Sequence, residues 1–211
     1  MKNILRVLGL FLVFSALGVG LNAETTGAAR YDAAIQSNVT QKLASKKQFR
    51  DVHATVEDGI VTLTGNADLY QQKLDAAKRI RKLANVQGVR NLIAVAGKDV
   101  PDAELAAQLD RKLYYDRMGY DNLFNYVTAS VQNGVVVVSG EALNPAARDS
   151  ALVLVDNTPG VKDVVNDIKV EPASFFDDQI RIKAARAIYR DSVLSRYAID
   201  PAHPIRIVVD N

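Results

Sequence analysis

The stretch VHATVEDGIVTLTG, from Val52 to Gly65, returns 75 residues later as VTASVQNGVVVVSG, from Val127 to Gly140. Each copy joins two runs rich in β-branched residues through a short pair, Asp58-Gly59 or Asn133-Gly134. Such pairs favour type I′ turns, in which both residues have positive φ and the flanking strands run antiparallel. The repeat therefore predicts two β-hairpins. We assign a structural turn role to Asp58, Gly59, Gly65, Asn133, Gly134 and Gly140.

A two-residue loop also determines which residues face each other across a hairpin. The expected pairs are Val56 with Val61, Ala54 with Leu63, Val131 with Val136, and Ala129 with Val138. Each hairpin then has one apolar side and one side that is open to solvent.

Two amphipathic helices are predicted around each hairpin. The helix before it has apolar residues four apart: Ile35, Val39 and Leu43 in the first copy, and Leu105, Leu109 and Leu113 in the second. Asp32 and Asp102 precede them and are expected to be N-caps. The helix after it is expected over 70–85 in the first copy, with Leu74, Ala77, Ile80 and Leu83 buried, and over 146–156 in the second.

The segments VQGV, at 86–89, and TPGV, at 158–161, are expected to end these second helices through a glycine and to lead into third strands at 89–95 and 161–170. Each unit then has the order α-β-β-α-β. The sequence predicts an α+β protein of tandem two-layer modules, in which two helices cover a three-stranded mixed sheet.

A third, shorter copy is predicted at 176–211. Asp177 follows Asp102 by 75 residues, and the alternating stretch Ile205–Asn211 matches a first strand up to its turn. This unit would hold one helix and one strand. A single strand has unpaired edges. Either the chain is a fragment of a longer protein, or the strand docks on a neighbouring repeat or on a second chain.

Residues 1–23 have the pattern of a secretory signal peptide. A basic start with Lys2 and Arg6 precedes the apolar run Val7–Leu21, and cleavage is expected near Ala23. The apolar run is short for a membrane span. We therefore expect an exported, periplasmic protein. Without residues 1–23, 24 basic residues balance 24 acidic ones, and this balance argues against nucleic-acid binding.

The glycines of the two copies resemble those of the BON domain, a module of exported bacterial envelope proteins. The matching residues are Gly59, Gly65, Gly88 and Val89 in residues 31–97, and Gly134, Gly140, Gly160 and Val161 in residues 101–172. The resemblance implies a non-catalytic module linked to phospholipid binding, envelope maintenance and osmotic stress. Some related modules occur in secretion and pore assemblies. Lipid-anchored members need an N-terminal cysteine, and this chain has no cysteine.

A basic cluster in the second helix of the first copy is the candidate lipid site. It consists of Lys78, Arg79, Arg81 and Lys82. Cations beside a membrane are attracted to anionic headgroups. The alternative is a solvated helix surface with local ion pairs such as Asp75–Arg79.

Candidate contacts with a protein partner or a second copy lie in the second module. Val135 and Val137 extend from the strand side that is polar in the first copy. Tyr114, Tyr115 and Tyr120 belong to an aromatic stretch before the hairpin, which suits either a binding rim or the cover of a core.

The sequence shows no catalytic motif, cofactor-binding loop or metal-ligand spacing. His53 and His203 are the only histidines, and neither has a partner at ligand spacing. We expect a non-enzymatic protein with no cofactor and no metal. Its partner is expected to be phospholipid or another envelope component, with a structural role in an assembly as the alternative.

Overall fold

The computed structural model describes residues 27–116, 126–170 and 174–198, together with Ile205, Ile207 and Val209. The first module consists of α1 (Asp32–Ala44), β1 (Val52–Glu57), β2 (Ile60–Ala67), α2 (Tyr70–Ile80), β3 (Gly88–Asn91) and β4 (Ala94–Val95). The second consists of α3 (Asp102–Tyr115), β5 (Tyr126–Gln132), β6 (Val135–Ala142), α4 (Pro145–Asp156) and β7 (Asp163–Val170). A further helix, α5, spans Phe175–Tyr189. The predicted α-β-β-α-β order and the α+β class are confirmed.

Both hairpins have the predicted register. Val56 pairs with Val61 in the first, and Val131 pairs with Val136 in the second. The turn residues have positive φ, as a type I′ turn requires: 51° and 76° at Asp58 and Gly59, and 54° and 77° at Asn133 and Gly134. The third strand of each module runs parallel to the second, which therefore lies at the centre of its sheet.

The core of each module lies between the helices and one face of the sheet. All six apolar residues predicted for α1 and α3 are buried, and so are Val61 and Leu63 on β2 and Val136 and Val138 on β6. Residues that alternate with these, such as Ile60 and Val135, lie on the other face of the sheet, which we call the open face.

Asp32 and Asp102 are not N-caps, contrary to the prediction. The N-cap residues are Tyr31 and Pro101, and neither has a capping side-chain bond. The two carboxylates instead accept hydrogen bonds from backbone N–H groups of the hairpin turns at Asp58–Gly59 and Asn133–Gly134. The prediction considered only donors in the same helix, whereas the fold brings two N–H groups of the hairpin turn to the start of each helix.

The predicted end of α2 was also wrong. The helix stops at Ile80, and Asn85 adopts the left-handed conformation (φ 64°) that had been expected of the glycine in VQGV. Gly88 lies in β3 and has no positive φ. Of the predicted buried stripe, Leu74 is 37% exposed, while Ala77 and Ile80 are buried. In α4, by contrast, Asn144 caps the start, accepting a hydrogen bond from the Ala147 N–H, and Gly160 has φ 98°.

The helix of the predicted third unit exists, but its buried face is displaced by one residue. Arg181 and Ala185 are buried, whereas Ile180, which follows the buried Leu105 by 75 residues and has the spacing of a core residue, is 53% exposed. Ile205, Ile207 and Val209 have no strand assignment. The Tyr189 hydroxyl donates to the Ile205 carbonyl oxygen at 3.1 Å, and the Arg181 guanidinium donates to the Val209 carbonyl oxygen at 3.4 Å. The described residues Ile205 and Val209 are thus bonded to α5, and the third repeat stays a prediction.

The two modules share one contact region. Tyr70 at the start of α2 and Val100 in the linker are buried in the core of the second module, and Val95 of β4 packs against that core. The core of the first module is formed by residues of that module alone. Lys162 and Asp99 add an ion pair of 3.0 Å across the same region.

Candidate functional site

The candidate basic site lies at the end of the first module that holds the hairpin turn. Two contacts hold the start of α1 and the chain that follows α2 beside the hairpin turn. The start of α1 is bonded to the turn through Asp32, and the Gln87 N–H donates to the Gly59 carbonyl oxygen at 2.9 Å. The chain leaving α2 therefore passes beside the turn. We call this surface the tip of the first module.

The four predicted cations differ in their exposure. Lys78, Arg81 and Lys82 are exposed, whereas Arg79 is half-buried. No carboxylate of the described residues pairs with any of the four. Because they lie in or just beyond the last turn of α2, they are also stabilised by the negative end of the helix dipole. Three unpaired cations at the tip are therefore free to meet an external anion.

The ion pair between Asp75 and Arg79, expected under the alternative of a solvated helix surface, is not among the ion pairs of the described residues. The Asp75 carboxylate instead accepts a hydrogen bond from the Gln71 amide at 3.0 Å. The Arg79 Nε is buried and has no acceptor among the described residues. Its guanidinium therefore retains unused donors beside the three exposed cations.

The three tyrosines predicted as partner contacts differ in their surroundings. The Tyr114 hydroxyl donates to the Ala198 carbonyl oxygen at 2.6 Å, so it ties α3 to the segment after α5. Tyr115 is 58% exposed, and its ring meets that of Tyr114 edge to face at 4.8 Å. Tyr120 lies outside the described residues. Tyr114 thus has a packing role.

The predicted valines lie on the open face of the second sheet. Val135 is 37% exposed and Val137 is half-buried. Val165 on β7 pairs with Val137 in parallel register and is 49% exposed. The prediction missed Val165. The sequence could have predicted it. Aligning the alternating residues of the third strand, β7, with those of the central strand, β6, places Val165 on the same face as Val137.

A small open cleft lies at the junction of the modules. Its volume is about 300 Å³, and it is lined by Lys98, Val100, Glu104, Gln108, Arg111 and Pro159. Lys98 and Arg111 give it positive charge, and Glu104 opposes them. The residues that line the cleft include no serine, threonine, cysteine or histidine.

Two titratable groups with shifted pKa values lie beside this junction. Burial raises the pKa of Asp156, at the end of α4, to about 6. Burial, together with a hydrogen bond to Asp163, raises the pKa of Tyr70 to about 12. Asp156 also raises the pKa of Tyr70 electrostatically, so the two groups lie close together. They belong to the contact between the modules, and neither lines the cleft.

Two other kinds of site are absent from the described part of the chain. It contains no group of three His, Cys, Asp or Glu side chains that could hold a metal ion. Among its helices, none combines the length and hydropathy needed to cross a bilayer. His53 is exposed on β1, and His203 lies outside the described residues.

Comparison with known proteins gives a family match over two segments. The family described as "BON domain" matches residues 31–97 and 101–172, the two modules of the structure. A protein of Anaplasma centrale, "Uncharacterized protein in gshII 5'region", is 27% identical over 146 residues, which cover 66% of this chain and 95% of that protein.

Among solved structures, the matches include two of CdsD, a structural protein of the type III secretion system of Chlamydia trachomatis. The C-terminal domain is 16% identical with a TM-score of 0.28, and the match covers 67% of each chain. The other structure is 18% identical with a TM-score of 0.30, and the match covers 72% of this chain and 69% of that one.

Proposed function

Since the chain belongs to the BON domain family, a family of non-catalytic binding modules, we propose that it is an exported protein that binds anionic phospholipid at the bacterial envelope. Its role would be in envelope maintenance or in the response to osmotic stress. Phospholipid and envelope binding is the activity that this family suggests.

The observation that carries the proposal is the set of unpaired cations at the tip of the first module. Lys78, Arg81 and Lys82 are exposed and lie within about a turn of one another. Each cation close to an anionic membrane contributes about 1 kcal/mol, so the three together contribute roughly 3 kcal/mol. This attraction is screened by salt, which makes ionic strength a direct test.

The proposed location follows from the leader. A basic start, a short apolar run and a small residue near position 23 are typical of exported proteins. The chain also has no cysteine, so its folding needs no disulfide.

Co-sedimentation with vesicles tests the lipid proposal. The protein should bind vesicles that contain phosphatidylglycerol, and binding should weaken with salt and be lost on phosphatidylcholine alone. The triple variant Lys78→Gln, Arg81→Gln and Lys82→Gln should bind about a hundredfold more weakly.

The matched control removes three other exposed lysines, through Lys42→Gln, Lys46→Gln and Lys47→Gln. These residues lie in or near the last turn of α1, away from the hairpin turn, and no described carboxylate pairs with them. The charge change is the same. Equal losses of vesicle binding in both variants would mean that only the net charge of the protein matters. Vesicle binding that does not change with salt concentration would contradict the proposal.

A second candidate function is a protein contact through the open face of the second sheet. Val137 and Val165 favour it, because the corresponding positions of the first sheet are the polar residues Thr62 and Arg90. Val135 lies beside them on the same face and is apolar, as is its counterpart Ile60. Light scattering after gel filtration should then give a mass above the 23.0 kDa of one chain. The double variant Val135→Lys and Val165→Lys should return it to a monomer. The control is Val153→Lys, at a position that is 56% exposed on α4.

A further inference from the structure

The exposed face of α5 has a composition that is found on neither α1 nor α3, the first helices of the two modules. Phe175 and Phe176 are 72% and 77% exposed, and Ile180, one turn further along, is 53% exposed. The two rings meet edge to face at 5.9 Å, so they form one apolar unit. Folding usually removes such large side chains from water. Their contact with water is unfavourable in free energy, and a ligand that covers them would remove this contact.

The same face continues as a row of cations. Lys183, Arg186 and Arg190 are exposed and lie at helical spacing from Phe176. No carboxylate of the described residues pairs with them. The acidic residues of the first turn are engaged elsewhere: Asp178 pairs with Arg181, and Asp177 accepts a hydrogen bond from the Ser174 hydroxyl.

The equivalent helices of the first two modules lack this combination. The exposed residues of α1 are small or polar. On α3 the exposed face carries Glu104 and Arg111, with Tyr115 as its only large exposed hydrophobic residue. A general requirement of the fold therefore does not explain the aromatic pair on α5.

We infer that α5 is an interfacial helix that lays Phe175, Phe176 and Ile180 into the headgroup region of an anionic phospholipid surface while Lys183, Arg186 and Arg190 contact the headgroups. Apolar residues beside cations on one exposed helix face are what such a surface recognises. A second copy fits less well, because α5 against α5 would bring two sets of cations together with no carboxylate between them. The inference rests on the proposed lipid function and adds a second point of contact, outside both BON modules.

A single introduced tryptophan tests this contact, because the chain contains none. In the Phe176→Trp variant, fluorescence emission should shift to shorter wavelength and be quenched by brominated lipid when phosphatidylglycerol vesicles are added. The matched control is Val153→Trp on α4, whose emission should not change. In parallel, Phe175→Ser with Phe176→Ser should weaken vesicle binding about tenfold or more, with the circular dichroism spectrum unchanged.

The outcomes separate this inference from the proposed function. If the protein sediments with vesicles but the introduced tryptophan gives no shift, α5 is not a contact and the proposed function stands. If neither effect is seen, both are wrong. An emission shift that depends on protein concentration without vesicles would show that a second copy covers α5, and it would overturn the inference.

Discussion

The carboxylate of Asp32 accepts a hydrogen bond from the backbone N–H of Gly59, 27 residues further along the chain, at 2.8 Å. Its other oxygen accepts one from the N–H of Asp58, also at 2.8 Å. The second module repeats the arrangement, with Asp102 bound to Asn133 at 2.6 Å and to Gly134 at 3.0 Å. One side chain thus joins the first helix of each module to the tip of its hairpin.

Removing this carboxylate should destabilise a module. We expect Asp102→Ala to lower the free energy of unfolding by about 2 kcal/mol, because two hydrogen bonds to a charged acceptor are lost. Asp102→Asn retains one acceptor and should lose about half as much. Urea denaturation measures both. Asp149→Ala is the control, since that exposed carboxylate pairs only with Arg148 beside it. A loss no larger than that of the control would contradict the role given to Asp102.

Gly65 should tolerate no side chain. Its φ is 99°, and a Cβ would overlap the carbonyl oxygen of Asp51. We expect Gly65→Ala to cost about 3 kcal/mol of unfolding free energy. Gly88→Ala is the matched control, because nothing lies within 4 Å of a Cβ there and its φ is not positive. That change should stay within about 0.5 kcal/mol of the parent protein. Equal costs at both positions would contradict this account.

Asp156 should make the protein less stable at neutral pH. Its pKa in the folded state is raised to about 6, so the folded chain holds this proton more tightly than the unfolded chain, whose value is near 3.8. The penalty is complete above pH 6 and fades as the pH falls toward 3.8.

Asp156→Asn should therefore raise the free energy of unfolding at pH 7 by about 3 kcal/mol. The difference from the parent protein should shrink steadily between pH 6 and pH 4. Thermal denaturation across this range measures it, with Asp149→Asn, exposed on the same helix, as the control. A difference that does not depend on pH would rule out the titration of Asp156 as its cause.

Tyr70 should contribute more to the stability of the second module than to that of the first module, to which it belongs. We expect Tyr70→Ala to reduce amide protection against hydrogen exchange mainly in α4 and β7, because Tyr70 is buried in the second core. The loss should approach about 3 kcal/mol. Tyr70→Phe keeps the ring and loses only the hydroxyl that bonds to Asp163, so it should cost about 1 kcal/mol. Loss of protection mainly in α1 and β1 would refute this assignment.

Local pattern was sufficient to predict the hairpins and most of the helices. The Asp-Gly and Asn-Gly turns and the four-residue spacing on α1 and α3 depend only on residues that are close in sequence, and all of them were confirmed. The family and the two-module division followed from the same glycines.

The errors came from contacts between segments far apart in sequence. Asp32 had the pattern of a cap, but the turn amides that it binds come from the hairpin. Ile180 had the spacing of a core residue, but α5 buries Arg181 and Ala185 instead. The bonds from α5 to the carbonyl oxygens of Ile205 and Val209 come from Tyr189 and Arg181. For the candidate site, the cations and the face on which Val165 lies could be predicted from the sequence, whereas the exposure of Phe175 required the fold.

Tyr70 is buried in the core of the second module, and Val95 packs against that core, whereas the core of the first module contains no residue of the second. The second module therefore depends on the first for its packing, and the first does not depend on the second in the same way. During synthesis the first module can complete its interior as soon as residue 97 is free, and it then presents an apolar patch to the solvent. We expect the second module to fold against that patch. We expect a separate copy of the second module to lack Tyr70 and Val95 from its core, and to be less stable than a separate copy of the first.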